Sequence, residues 1–273
     1  FYWRAGTPIL ARTAGAQAVT LFTLGISFSQ YFMTASTAIS GVIAPKIMQM
    51  VALDSTKEQL TRMMIRVGRL QLALLSVILV SFISCGHDFL HLWVGKTIGD
   101  QTGTVWVGAV IVLLPLLVPL TQNTGLAILQ ALNIHKGRAI ILFYSSLLCV
   151  ILGYFISLYY GTIGMFIGTA ISLFIGQVLM INRYYARTAG LDMRRFFRRI
   201  YGPLLLPSAV MILAGLGAVA LLTLDNWFSF LAFAFCYGLL AVGTIWFFYL
   251  NRDERDMFLG PLQKLIPSRH DKN

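Results

Sequence analysis

Charge is the scarcest property of this chain. Only 11% of its 273 residues are Asp, Glu, Lys or Arg, while 58% are hydrophobic. A water-soluble domain carries about 25% charged residues, so the composition is that of a multi-span membrane protein. Acidic residues number 10, and none falls inside an apolar run. Asp88, Asp100 and Asp225 lie in connections on one side, and the rest lie in loops or tail on the other. An intramembrane carboxylate that could carry a proton or a sodium ion is thus missing from this part of the chain. The three cysteines, Cys85, Cys149 and Cys236, stand singly in or beside apolar runs with no CxxC spacing, and read as small buried hydrophobes. No nucleophile, base and orienter occur together, and no glycine-rich phosphate loop is present. The first residue is Phe1, with no signal-peptide pattern before the first span, so the chain is expected to begin partway through a larger protein.

What is present is a series of apolar runs. Residues 1–15 contain Arg4, Pro8 and Arg12 and read as the remainder of a helix. Full spans are predicted at 16–45, 68–85, 104–133, 139–159, 162–181, 203–223 and 227–250. Each has about 18 residues or more, near the roughly 20 that a bilayer core requires. The fold class is therefore an all-α polytopic membrane protein with seven full transmembrane helices and a partial first one. The longest outer connection, 86–103, is read as an interfacial loop. Its His87 and His91 sit one helical turn apart around Asp88, but no third ligand is evident and no metal site is expected. In 46–69, Asp54 or Ser55 is positioned to cap a short amphipathic helix, with Glu58 closing the box.

Of the 21 Lys and Arg residues, 18 fall in 46–69, 134–138, 182–201 and the tail. Under the span assignment all of these lie on one side, and Lys96 alone lies in an opposite loop. The positive-inside bias makes the basic loops and the C-terminus cytoplasmic. The net charge of +11 is then a topology signal and a contact with lipid headgroups, not a nucleic-acid footprint.

Span 16–45 is ruled by a polar line. Thr20, Thr23, Ser27, Gln30, Thr34, Thr37 and Gly41 follow one another at steps of three and four, within an arc of roughly 100°. The opposite side carries Leu21, Phe28, Phe32, Ala35, Ile39 and Ile43, a face that suits lipid. Such a stripe either packs against neighbours through small residues or lines a wet path; the amide of Gln30 exceeds what packing requires. Arg4 and Arg12 are read either as anion contacts or as side chains that snorkel at an interface. Pro115 and Pro119 bend span 104–133 just before Thr121, Gln122, Asn123 and Thr124. That is the pattern of a broken helix beside a binding site, or of a structural bend whose amides cross-link helices. Gly161, Gly164, Gly168, Ser172 and Gly176 read as a packing face.

Four stretches carry a resemblance. YFMTASTAISGVIAPKI (31–47), DFLHLWVG (88–95), LQALNIHKGRA (129–139) and YYGTIGMFIGTAIS (159–172) resemble, in that order, segments of the C-terminal half of Wzx-type oligosaccharide flippases. That superfamily also holds the lipid II flippase and the multidrug and toxin extrusion transporters. The resemblance implies the second bundle of a fourteen-helix, two-bundle flippase. Residues 1–15 would be a truncated helix, 16–182 four helices completing the second bundle with one more, 203–250 two C-terminal helices, and 251–273 a cytoplasmic tail. It implies a central cavity, alternating access, and movement of undecaprenyl-diphosphate-linked oligosaccharide from the cytoplasmic to the periplasmic leaflet of the bacterial inner membrane. No covalent reaction and no cofactor are implied, and any H+ or Na+ coupling would have its site outside this chain. Relatives often carry an acidic residue after the Trp-Arg of the seventh helix, whereas here Trp3-Arg4 is followed by Ala5-Gly6-Thr7. The implied partners are the lipid-linked oligosaccharide, membrane lipids, a polysaccharide polymerase and a chain-length regulator, with no nucleic acid. The expected cavity residues are Arg4, Arg12, Gln30, Thr34, Thr37, Gln122 and Asn123. The rival readings are a cation-coupled multidrug extruder of the same fold and, behind it, a membrane-embedded polysaccharide polymerase or ligase.

Overall fold

The computed structural model describes residues 3–222, 224–251 and 254–255, and these are helical nearly throughout. The expected tail at 251–273 lies outside the described residues apart from Asn251, Glu254 and Arg255. In chain order the helices are α1 (Gly6–Thr13), α2 (Gly15–Ala52), α3 (Lys57–Ile98), α4 (Thr102–Thr121), α5 (Asn123–Ala131), α6 (Lys136–Leu173), α7 (Ile181–Tyr184), α8 (Met193–Ile200), α9 (Gly202–Leu221) and α10 (Trp227–Phe248).

The seven expected spans do not map one to one onto seven helices. Among the described residues four continuous helical stretches are long and apolar enough to cross a membrane, and two of them, Lys57–Thr121 and Lys136–Ala189, are 65 and 54 residues long. Each of these two folds back on itself. The first reverses after Ile98, where Gly99 takes φ 56°, and α4 returns beside α3 with the Trp106 indole donating to the Phe82 carbonyl at 3.0 Å. The second reverses at Gly161, φ 54° and ψ −129°. α2 is not among the four because its polar line lowers its hydropathy. α1, at 8 residues, is about 12 Å long and too short to span. The outer connection read as a loop is helix as far as Ile98, since nothing in 86–98 breaks a helix before Gly99. α3 also starts without a separate amphipathic helix, and its cap is Thr56. Gln59 N donates to Thr56 Oγ1 at 3.3 Å, and Thr56 N donates to Gln59 Oε1 at 2.8 Å. The box is displaced by one residue from Ser55 and Glu58 because Asp54 is in the left-handed region at φ 51°.

Inside a bilayer apolar side chains gain little by leaving lipid for protein, so close packing must hold the helices together. Glycine supplies it in the α6 hairpin. A Cβ on Gly164 would stand 2.4 Å from the Ile156 carbonyl oxygen, and one on Gly168 would stand 2.7 Å from Gly153 Cα. The same register continues to Gly176 against Ser145 and Gly137 against Tyr184. The glycine face of 164–176 is therefore a packing face, as expected, whereas Gly161 is the turn itself, with nothing within 4 Å of a Cβ placed there. At the centre of the bundle Phe166 is wedged between Gly25 of α2 and Gly108 of α4. α1 turns back along α2, and Gly6 lies against the Phe22 ring.

The buried apolar residues form a central cluster around Phe22, Leu75, Leu113 and Phe166, with further clusters toward each end. One end gathers the C-terminal part of α2, the start of α3, α8 and the end of α10, through Ile47, Met64, Phe196 and Tyr249. The opposite end gathers Phe89, Trp93, Trp227 and Phe230 in mutual ring contact, an aromatic group of the kind found at membrane–water interfaces. The outward faces of α6, α9 and α10 present Phe143, Phe155, Leu206, Leu213, Phe228 and Phe235. Cys85 and Cys149 are buried as expected, but Cys236 is exposed, on the outward face beside Phe235.

Candidate functional site

The apolar face of α2 is placed differently from the sequence expectation, which assigned it to lipid. The apolar side does not face out. Leu21 and Phe32 are 4% and 3% exposed, and Phe28 packs on Phe82 with ring centroids 4.6 Å apart. The polar side is the uncovered one: Thr20, Thr23, Gln30, Thr34, Thr37 and Gly41 are all exposed, and Ser27 is half-buried. The line is therefore not a packing seam among the helices of this chain.

Its hydroxyls are occupied in a consistent way. Thr23 donates to the Val19 carbonyl at 2.8 Å, Ser27 to Leu24 at 2.6 Å, Thr34 to Gln30 at 3.0 Å and Thr37 to Met33 at 2.9 Å. Each hydroxyl gives its proton to its own helix and keeps its lone pairs outward. The face thus offers acceptors, with the Gln30 amide as its strongest donor.

Polar groups on the covered side of α2 brace the helix break that follows Pro119. Ser36 is fully buried and donates to the Leu120 carbonyl at 2.7 Å. Its Oγ accepts from Gln71 Nε2 at 3.1 Å and from Asn123 Nδ2 at 3.0 Å. α4 ends at Thr121 and α5 begins at Asn123, so the proline-induced bend is real. Thr121 reaches the Tyr201 hydroxyl at 2.8 Å. Tyr201 lies in the turn between α8 and α9. Gln122 departs from its expected cavity role. It is 1% exposed and donates to Asn182 Oδ1 at 2.7 Å, a cross-link between the α4–α5 break and α7. Thr124 and Ser29 are buried hydroxyls without a partner among the described residues.

Asn123 is half-buried and reaches a cavity of about 300 Å³ that Trp3, Met33, Arg138 and Gln177 also line. This cavity joins the segment before α1, α2, the α4–α5 break and both legs of the α6 hairpin. It holds a guanidinium and two amides in an otherwise apolar wall. Arg138 donates to the Tyr185 hydroxyl at 2.6 Å. Arg138 and Gln177 were not singled out from the sequence, where Arg138 counts only toward the basic loops. Arg4, next to Trp3, is exposed, and Arg12 is exposed in the last turn of α1. Neither guanidinium has a hydrogen-bond or ion-pair partner among the described residues. The described residues hold no group of three His, Cys, Asp or Glu placed to bind a metal ion.

No family model matches the chain, and no curated protein matches it. Among solved structures it is similar to the lipid II flippase MurJ in an inward closed conformation, with a TM-score of 0.56 and 16% sequence identity. The match covers 94% of this chain and 53% of that one, so the chain spans about half the length of the structure it resembles. At this identity the likeness is one of fold: these helices are arranged as in one part of a membrane flippase.

Proposed function

We propose that the chain is the C-terminal part of a flippase that carries undecaprenyl-diphosphate-linked oligosaccharide from the cytoplasmic to the periplasmic leaflet of the bacterial inner membrane. The observation that carries this reading is the uncovered polar face of α2. A sugar headgroup crossing hydrocarbon leaves many hydroxyls unpaired, each at a cost of several kcal/mol. A line of outward lone pairs on Thr23, Thr34 and Thr37 accepts hydrogen bonds from such hydroxyls. A diphosphate only accepts, and its counterparts are the exposed guanidiniums of Arg4 and Arg12. Asn123 and Arg138 extend the polar wall inward. The basic end, with Arg195, is read as cytoplasmic and the Trp93–Trp227 end as periplasmic. Alternating access would move this wall against a second bundle.

The rival reading, a cation-coupled drug extruder, calls for a carboxylate facing the path. The α2 face offers hydroxyls and an amide instead. The deciding experiment places Gln30→Leu/Thr34→Leu in the full-length protein, in cells that depend on it for surface polysaccharide. The expected result is loss of polymer with lipid-linked repeat units retained in the inner leaflet, at normal protein level and unchanged drug susceptibility. Intact export at normal protein level contradicts the proposal, and intact export with altered drug susceptibility favours the extruder.

A further inference from the structure

At the basic end of the bundle lies a cavity of about 830 Å³, walled by arginines from two elements. α3 contributes Arg62, Arg66 and Arg69, and α8 contributes Arg194, Arg195, Arg198 and Arg199. It is separate from the α2 face and from the cavity at Asn123.

The floor of the cavity is fixed and internally neutral. Arg69, 7% exposed, donates to both carboxylate oxygens of Glu254 at 2.6 and 3.1 Å and to the Arg199 carbonyl at 2.9 Å. It also donates to the Tyr249 carbonyl and lies 4.4 Å over the Tyr249 ring. The walls are not neutral. Asp192 is occupied as the cap of α8, accepting from Arg195 N at 2.8 Å. Glu58 is shared between Arg62 at 3.6 Å and Arg195 at 3.4 Å. Arg194, Arg198 and Arg199 make no ion pair among the described residues. Arg194 and Arg198 stand one turn apart on α8, as do Arg195 and Arg199, and like charges at that spacing repel. A topology signal needs positive charge near the span ends, but it does not need that charge gathered around a concavity with a pinned floor.

We propose that this cavity holds the phosphate headgroup of a resident anionic phospholipid, with Arg194, Arg198 and Arg199 supplying the guanidinium forks for its oxygens. Placement selects a lipid over a soluble phosphate. α8 packs Met193, Phe196 and Ile200 into the helix bundle and turns its arginines away from it, at the basic end of the spans where lipid headgroups lie. Pro203, at the start of α9, lines the cavity, and an apolar cavity of about 440 Å³ begins at the next residues along the same helices, Leu72 on α3 and Leu204 on α9. That apolar space lies where an acyl chain would descend from a headgroup held by α8. The inference does not depend on what the protein transports.

The test uses full-length protein in neutral detergent, with lipid binding followed by native mass spectrometry and by thermal unfolding. The probes are phosphatidylglycerol, phosphatidylcholine and inorganic pyrophosphate. Arg194→Gln/Arg198→Gln is compared with Arg183→Gln/Arg187→Gln, which removes the same charge at the same membrane end outside this cavity. Wild type and control are expected to bind phosphatidylglycerol in preference to phosphatidylcholine and to be stabilised by it. The α8 variant is expected to bind it about 30-fold more weakly, from about 1 kcal/mol per arginine at an anionic headgroup. Equal unfolding temperatures in phosphatidylcholine report intact folds. An equal loss in the control, or no preference over phosphatidylcholine, overturns the site in favour of general surface charge. Stabilisation by pyrophosphate equal to that by phosphatidylglycerol overturns the lipid assignment.

Discussion

Ser36 on α2 donates its hydroxyl proton to the carbonyl of Leu120, at a distance of 2.7 Å, where α4 gives way to α5. The bond fixes the striped helix to the bent one, and the same oxygen accepts from Gln71 and Asn123. Ser36→Ala leaves the Leu120 carbonyl and the Asn123 amide short of a partner, while Gln71 keeps its bond to the Ser36 carbonyl at 3.0 Å; such a loss costs about 1–3 kcal/mol. The expected outcome is a lower unfolding temperature of the full-length protein. Gln71→Met removes the amide altogether, including an Oε1 that is unpaired among the described residues. It is expected to cost less than Ser36→Ala, because Ser36 Oγ still donates to Leu120 and accepts from Asn123, and the unpaired amide oxygen leaves with the side chain. If Gln71→Met proves the more damaging of the two, Ser36 is not the hub.

The α6 hairpin makes a second prediction. At Gly168 an added methyl meets backbone, with Gly153 Cα at 2.7 Å and the Leu152 carbonyl carbon at 3.0 Å. Gly168→Ala must open the hairpin, for about 1–3 kcal/mol or more. Gly217→Ala on α9 has nothing within 4 Å and is expected to be neutral or mildly stabilising through helix propensity. Folded yield and unfolding temperature distinguish the two.

The buried Arg69–Glu254 pair, at 2.6 Å, ties the chain after α10 to the N-terminal half of α3. Glu254→Ala leaves a buried guanidinium without its carboxylate and is expected to cost about 3–5 kcal/mol. The double variant Arg69→Met/Glu254→Leu removes both charges and is expected to lie closer to wild type than Glu254→Ala. Measured unfolding temperatures in that order support a desolvation origin; a double variant worse than the single contradicts it.

Much of the helical order was legible in the sequence. The apolar runs, the separation of 139–159 from 162–181, the break after Pro119 and the gathering of basic residues at one end all follow from composition and spacing, although Gly161 read as part of a packing face. The facing of α2 was not legible. Apolar side chains suit lipid and protein neighbours equally, so the side with Leu21 and Phe32 gave no sign that it packs inward. The polar line was visible as a line, but its exposure depends on where α3, α4 and α6 sit. Gln122 looked like a lining residue because a polar group after a proline bend has two uses. Only the position of Asn182, 60 residues away, shows that it is a cross-link here. Arg69 and Glu254 are 185 residues apart, and the one available hint was an arginine at the very start of the apolar run 68–85.

The central claim is that the polar face of α2 meets water and headgroup along the path. Cysteine labelling of the full-length protein in membranes, with Cys85, Cys149 and Cys236 replaced, tests it most directly. Cysteines in place of Gln30, Thr34 and Thr37 are expected to react with a membrane-impermeant thiol reagent, and cysteines in place of Ser29 and Phe32, which are 0% and 3% exposed, are expected to stay protected. Protection at all five positions would contradict the account and would mean that this face is sealed by another part of the protein or by lipid.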